Sequence, residues 1–212
     1  MIGDIHGCYL ELVDLLTQIG VSQQDRIISV GDLITKGPGN QAVLHFFRQR
    51  PNCESVLGNH EYLLLQHRRG EPADLKAEHF QTITELGKDF EDHMNWLSRL
   101  PPYIDLGDHL VVHAGIRPNR PLEKQHLEDL IQLRTLDGPE AGNRNGTPWF
   151  EEYQGDKTVI FGHWVFDVPL LRENAIGLDT GCVYGGRLTA VILPARQIVS
   201  VPARRAYAKK KG

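Results

Sequence analysis

Arg26-Ile27-Ile28-Ser29-Val30-Gly31-Asp32-Leu33-Ile34-Thr35-Lys36-Gly37-Pro38 is a short apolar run that stops abruptly on a Gly-Asp box. The β-branched Ile27, Ile28 and Val30 predict a buried strand, and the glycines and proline after them force a turn. Upstream, Gly3-Asp4-Ile5-His6-Gly7 is followed by Tyr9, Leu12, Val13, Leu16 and Ile19 at helical spacing, so residues 8–19 are predicted to be an amphipathic helix ended by Gly20. Downstream, Val43, Phe46 and Phe47 share one face of a helix that starts after Gly39. Ser55-Val56-Leu57 is then a strand leading into Gly58-Asn59-His60-Glu61, with another helix from Tyr62. This β-α-β-α-β order predicts parallel strands with right-handed crossovers. Ligands of such sheets lie beyond the strand carboxyl ends, where all three boxes fall.

Only Met1 and Ile2 precede the first box. A ligand-bearing loop needs a rigid strand behind it. The expectation is a nearly absent first strand or a natural chain that begins further upstream, the second being favoured.

Residues 66–100 are predicted to be mostly helical, with Leu86, Phe90, Met94 and Leu97 on one side, and Pro101-Pro102 stops them. Strands follow at Tyr103–Leu106 and Leu110–Val112 around a Gly107-Asp108 turn, then at Thr158–Phe161, Ala175–Leu178, Leu188–Leu193 and Ile198–Val201. The second half is therefore expected to be largely β and antiparallel. Gly138–Pro148 is rich in Gly, Pro and Asn and is expected to loop over the site. The fold class is mixed α/β. One domain is expected over residues 1–205, with 206–212 a flexible tail whose Ala208–Gly212 end carries three lysines.

The 212 residues suffice for one domain with a real core. A net charge of −4 leaves no broad basic field, so nucleic acid is not an obligatory partner. No apolar stretch approaches a membrane span. Cys8, Cys53 and Cys182 are too scattered for a disulfide framework and are expected to be free thiols in core positions. With no signal peptide recognisable, a cytoplasmic protein is expected.

Two histidine boxes, His113-Ala114-Gly115 and Gly162-His163, complete the constellation. Asp4 and His6, two apart in an extended segment, are expected on one face gripping one metal ion. Asp32 is placed to bridge two ions, and Asn59, His113 and His163 to complete the second. Carboxylate, amide and imidazole without thiolate suit Mn²⁺, Fe²⁺ or Zn²⁺ at a reactive site. Two ions that share a carboxylate activate water and clamp a phosphoryl group. Phosphoester or phosphoanhydride hydrolysis is the first reading. His45, His67, His79, His93, His109 and His126 stand in helical or turn contexts and are expected to have no part in the site.

These boxes resemble those of the calcineurin-like metallophosphoesterases of the phosphoprotein phosphatase superfamily, and the resemblance runs from residue 2 to about 193. It implies a four-layer fold, a β-sandwich of two mixed sheets flanked by helices, with the site at the sheets' carboxyl edge. It implies two divalent ions, Mn²⁺ first with Fe, Zn, Co or Mg possible. It also implies His60 as the general acid, Asn59 as a residue touching both metal and substrate, and a metal-bridging hydroxide as nucleophile without a phosphoenzyme.

The second box departs from the protein phosphatases, which carry Gly-Asp-x-x-Asp-Arg-Gly there. Thr35 replaces the aspartate that orients the catalytic histidine, and Lys36 replaces a phosphate-binding arginine whose bidentate fork lysine cannot copy. Lys36-Gly37-Pro38, the stretch Thr147–His163 and Asp179–Leu188 resemble the bacterial diadenosine tetraphosphatases and their ApaH-like relatives. Lys36 and Arg134 are expected to hold substrate phosphate. A nucleotide is the expected substrate, dinucleoside polyphosphates such as Ap4A foremost. A serine/threonine protein phosphatase is the alternative, with an RNA-cap hydrolase or an inactive phosphate-binding module behind it.

Overall fold

In the computed structural model, residues 1–138 and 141–210 are described. The chain runs α1 (Tyr9–Ile19), β1 (Ile27–Ser29), α2 (Asn40–Gln49), β2 (Cys53–Ser55), α3 (Asn59–Arg68), α4 (Ala77–Leu86) and α5 (Phe90–Leu97). It continues through β3 (Tyr103–Asp105), β4 (His109–Val112), α6 (Leu127–Gln132), α7 (Trp149–Glu152), β5 (Thr158–Phe161), β6 (Leu170–Leu171), β7 (Ala175–Gly177), β8 (Asp179–Thr180), β9 (Arg187–Ile192) and β10 (Gln197–Pro202). Helix α1 forms where the spacing predicts. Gly20 closes it in the left-handed conformation, its N–H reaching Leu16 O and Thr17 O.

The layers follow from alternation along the strands. Leu110 and Val112 of β4, with Val159 and Phe161 of β5, pack outward on Leu130 and Ile131 of α6 and on Trp149 and Phe150 of α7. Val111 and Ile160, between them in sequence, face the other way and meet Ile28 of β1 and Val191 of β9. Successive strand side chains point to opposite faces, so one short strand feeds two cores. On the far side of the first sheet, Leu12, Leu15, Val43, Leu44, Phe47, Leu64, Met94 and Leu97 of the helices pack on Ile2, Ile27, Leu188 and Ala190. The result is helix layer, sheet, sheet, helix layer. Each fully buried Leu or Ile contributes about 1.5–3 kcal/mol relative to exposure.

In the first sheet β1 and β2 are parallel, and β8, β9 and β10 are antiparallel. Ile2 joins the two groups, bridging in parallel to Ser29 and in antiparallel to Ala190. Ile2 is thus a one-residue bridge at the place of the first strand. In the second sheet the order is β3-β4-β5-β7-β6.

The second half is antiparallel where β3 meets β4, β6 meets β7, and β8, β9 and β10 pair, as expected, but the expectation is corrected at β4, β5 and β7, which pair in parallel. The connection from β4 to β5 carries α6 and α7 across the sheet face and supplies the long crossover that parallel neighbours need. Strand β2 also sits two residues earlier than expected, and Leu57 bonds Pro101 O instead of extending it. The expected tail at 206–212 is docked over its first part. Tyr184 bridges Ala206, the Tyr207 and Ala208 N–H groups bond Val183 O, and Tyr207 Oη donates to buried Glu11 at 2.7 Å. Lys211 and Gly212 lie outside the described residues, as do Pro139 and Glu140 of the expected loop.

Candidate active site

All five boxes meet at the carboxyl ends of the Ile2 bridge, β1, β2, β4 and β5. Asp32 stands at the centre. One of its carboxylate oxygens lies 3.4 Å from His6 Nε2 and the other 3.5 Å from His113 Nε2. Asn59 Oδ1 lies 2.9 Å from both His113 Nε2 and His163 Nδ1. Asp4 accepts the His163 N–H through both oxygens at 3.1 Å. A side chain on Gly162 would collide with Asp4 Oδ1, so only glycine lets the carboxylate sit there.

The donors form two groups, Asp4-Asp32-His113 and His6-Asp32-His60, with the ligand atoms in each within 4.8 Å of one another. Asp32 belongs to both, as a bridging ligand should. One expectation changes in detail. His6 has φ 47°, so the chain turns after Ile5 and Asp4 and His6 do not share a simple strand face. Both nevertheless face Asp32. Asp32, Thr35, Lys36 and His163 also have positive φ. Such left-handed non-glycine residues cost about 1–3 kcal/mol each and persist where surrounding contacts over-determine them.

The hydrogen bonds around these donors fit divalent metal ions. His6 Nδ1 donates to Ile34 O at 3.1 Å and His113 Nδ1 to Val30 O at 2.9 Å. Each ring therefore turns a bare Nε2 into the site, and backbone carbonyls commonly orient metal-binding histidines in this way. Burial holds the His113 imidazole below its ordinary pKa, and with Nδ1 bonded to Val30 O its Nε2 faces the Asn59 oxygen at 2.9 Å. His163 Nε2 is buried without a partner among the described residues. Burial, Asp179 and Asp32 push Asp4 well above the usual carboxylate range. Asp32 would rise by burial alone, but His113, His60, His6 and Lys36 hold it well below that range. A cation among converging lone pairs and buried carboxylates removes each of these costs.

His60 points away from Asn59. Its Nδ1 lies 2.8 Å from Thr35 Oγ1, and its ring meets His6 edge-on at 5.0 Å. Lys36 Nζ donates to His6 Nε2 at 2.9 Å and lies 5.5 Å over the Tyr184 ring. Arg134 is not a surface residue. It follows α6, and its guanidinium donates to His163 O at 3.0 Å. Burial and neighbouring Arg144 lower Arg134 to about 10, which leaves it cationic at neutral pH.

Three participants had no role in the sequence reading. Glu61 accepts the N–H groups of Asp32, Ile34 and Gly58 at 3.0–3.1 Å, tying the second and third boxes together. Its spacing three residues after Gly58 is the available signal, that of a helix-capping glutamate. Asp179 is buried, and burial raises it to about 6, with Lys36, Asp32 and Arg134 all acting on it. His79, expected to have no part, is buried and stacks on His60 at 4.9 Å. Its place within α4 carries no sequence signal, because only tertiary packing brings that helix to the second box.

A family model for calcineurin-like phosphoesterases matches residues 1–186. The chain belongs to the calcineurin-like phosphoesterases. This phosphoesterase is a metal-dependent hydrolase by family, and its four layers are that family's fold. It is 31% identical to a symmetrical bis(5'-nucleosyl)-tetraphosphatase of Methylobacillus flagellatus, over 97% of this chain and 95% of the relative. It is 30% identical to an asymmetrical bis(5'-nucleosyl)-tetraphosphatase of Halalkalibacterium halodurans, over 100% and 96%. A crystal structure described provisionally as a diadenosine tetraphosphatase superposes with a TM-score of 0.83 at 35% identity, covering 95% of this chain and 91% of the other. No helix among the described residues is long and apolar enough to cross a membrane.

Proposed function

We propose that this phosphoesterase hydrolyses a phosphoanhydride bond in dinucleoside polyphosphates such as Ap4A. The observation that carries this reading is the neutral Thr35 hydroxyl, 2.8 Å from His60, in the place where protein phosphatases have an aspartate. A serine alkoxide leaves poorly and needs a strongly primed acid. A nucleoside polyphosphate leaves through phosphate oxygens with a pKa near ~6 and needs little help. The tetraphosphatase names of the relatives at 30–31% identity support the same substrate class.

In this reading Asp4, His6, Asp32, Asn59, His113 and His163 hold two divalent ions, Mn²⁺ being the best match to the oxygen and imidazole donors. When bound, such ions activate water and neutralise charge on the reacting phosphate. The chain's own residues do the rest. Lys36 and Arg134 draw in the phosphate chain and fix it, and Asn59 steadies the reacting phosphate. His60 donates its proton to the departing oxygen as the bridging P–O bond breaks. One domain spans residues 1–205 together with the docked residues 206–208, and a cytoplasmic location agrees with three free buried cysteines.

The test is a product-resolved comparison of Ap4A, nucleoside triphosphates, capped RNA and phosphopeptides with Mn²⁺. Ap4A is expected to give the highest kcat/KM. A higher value for phosphoserine or phosphothreonine peptides overturns the reading in favour of a protein phosphatase.

A further inference from the structure

We infer that Thr35 and His79 are positioning residues that hold His60 in an uncharged clamp, and that this clamp sets the preference for good leaving groups. The inference deepens the proposed substrate class and rests on His60 being the acid.

Thr35 is fully buried and has φ 76°, a conformation that a β-branched residue rarely adopts. Two bonds keep it there. Its N–H donates to Asn40 Oδ1 at 2.7 Å, and Gly37 N–H donates to Thr35 O at 2.8 Å. The strained backbone aims the hydroxyl at His60 Nδ1. That bond occupies one ring nitrogen and leaves Nε2 for another partner. The ring face is held separately. His79 lies nearly parallel to it, with an interplanar angle of 15° and a centroid separation of 4.9 Å. His79 Nδ1 accepts the Lys76 N–H at 2.9 Å, so a neutral His79 carries its proton on Nε2, which is buried without a partner among the described residues. Asn40, which holds Thr35, also donates to Glu85 on α4, the helix that carries His79. The edge contact and the face contact are therefore tied together through Asn40.

A carboxylate beside His60 could only accept a hydrogen bond. A hydroxyl can accept from Nδ1–H or donate to a bare Nδ1. Nδ1–H can donate to Thr35 Oγ1 both before and after the proton leaves Nε2 for the departing oxygen, as it could to a carboxylate, but Thr35 adds no negative charge in either state. Orientation is retained, while the electrostatic priming that an alkoxide leaving group demands is absent. A polyphosphate or aryl oxide departs readily from such a site, and an alkoxide does not.

The test is a series of aryl phosphates of graded leaving-group pKa, turned over by the Mn²⁺-loaded enzyme, with metal content measured in parallel. Thr35→Val should lose about 10²-fold in kcat on phenyl phosphate, the scale expected for a misplaced acid, and only a few-fold on 2,4-dinitrophenyl phosphate. Metal content should be unchanged, and Thr35→Ser should restore the wild-type slope. His79→Leu should steepen the slope in the same direction. An equal loss across the series, or a serine variant that fails to restore the slope, overturns the inference. A second readout needs no turnover. In metal-free protein labelled with ¹⁵N at histidine, Thr35→Ser should keep the His60 tautomer signals and His79→Leu should shift them. Unchanged signals in His79→Leu, or signals lost in Thr35→Ser, also overturn it. Neither measurement uses Ap4A. A wild type that ignores Ap4A yet shows this pattern refutes the substrate and leaves the clamp standing.

Discussion

Asp32 concentrates the chemistry of this site, because its two oxygens face His6 and His113 and because it belongs to both donor groups. If it bridges two ions at the separation of about 3.5–4 Å typical of such sites, the amide of Asp32→Asn removes the shared charge that keeps them together. Elemental analysis should then fall from two metals per chain to one or none, with nearly all activity lost. A fully active wild type holding a single metal contradicts the bridge. His60 calls for the opposite signature. His60→Ala should keep its metal and lose about 10²–10⁴-fold on a poor leaving group, with a smaller loss on an activated aryl phosphate. Equal losses would count against His60 as the acid, and a loss of metal with them would make it a ligand beside His6 and Asp32. Residue by residue, the sequence was most legible where chemistry sits beside glycine. Asp4, His6, Asp32, Asn59, His113 and His163 all lie in or beside glycine-punctuated boxes, and all of them converge. His79 was not legible, since a histidine at 3.6-residue spacing on a helix gives no hint of the ring it will stack on.

The loops that present these residues are set by short strands and by one buried carboxylate. Glu61 accepts N–H groups from Gly58 on its own turn and from Asp32 and Ile34 on the neighbouring loop. Burial raises it to about 8, with Asp32 adding to the rise and the N–H donors opposing it. Glu61→Gln keeps the shape but turns an NH₂ group towards at least one of those donors. Leaving one buried donor unpaired costs about 1–3 kcal/mol, so urea unfolding should shift by that amount. Metal affinity should fall with it, because the second and third boxes lose their common anchor. An unchanged unfolding midpoint removes Glu61 from this role. The helices up to α5 and the turns after β1 and β5 were legible, because apolar residues recur at helical spacing and because Ile27–Val30 and Thr158–Phe161 are apolar runs followed by glycine. The pairing sense of β4, β5 and β7 was not. Isolated strands of three or four residues look alike whether parallel or antiparallel, and the sense is decided by how α6 and α7 cross the sheet. The docking of 206–208 was equally hidden, because it depends on Glu11, nearly two hundred positions away in sequence.

Taken whole, the molecule is weakly acidic, with a net charge of −4, yet its site sets Lys36 and Arg134 beside the carboxylates. These two cations approach from different parts of the fold, Lys36 from the loop after β1 and Arg134 from the segment after α6. They suit an extended chain of phosphates better than one tetrahedral phosphate, because a lysine point charge accepts many geometries where a bidentate fork selects one. Lys36→Ala or Arg134→Ala should therefore weaken Ap4A turnover more than p-nitrophenyl phosphate turnover, with metal content intact. An Arg134→Ala enzyme with unchanged kcat/KM for Ap4A would take Arg134 out of substrate binding. The same geometry gives the sharpest test of the substrate class. Thr35→Asp restores the carboxylate beside His60, in a buried place now hydrogen-bonded at 2.8 Å. A carboxylate there favours the charged ring and primes the acid. An alkoxide leaving group gains from that priming, and a polyphosphate leaving group has little to gain. The substitution should therefore raise kcat/KM on a phosphothreonine peptide relative to Ap4A, narrowing a gap that in the wild type favours Ap4A. A Thr35→Asp enzyme that improves on Ap4A more than on the peptide would mean that the wild type is limited by its acid even on an anhydride. The link drawn here between Thr35 and substrate choice would then fail.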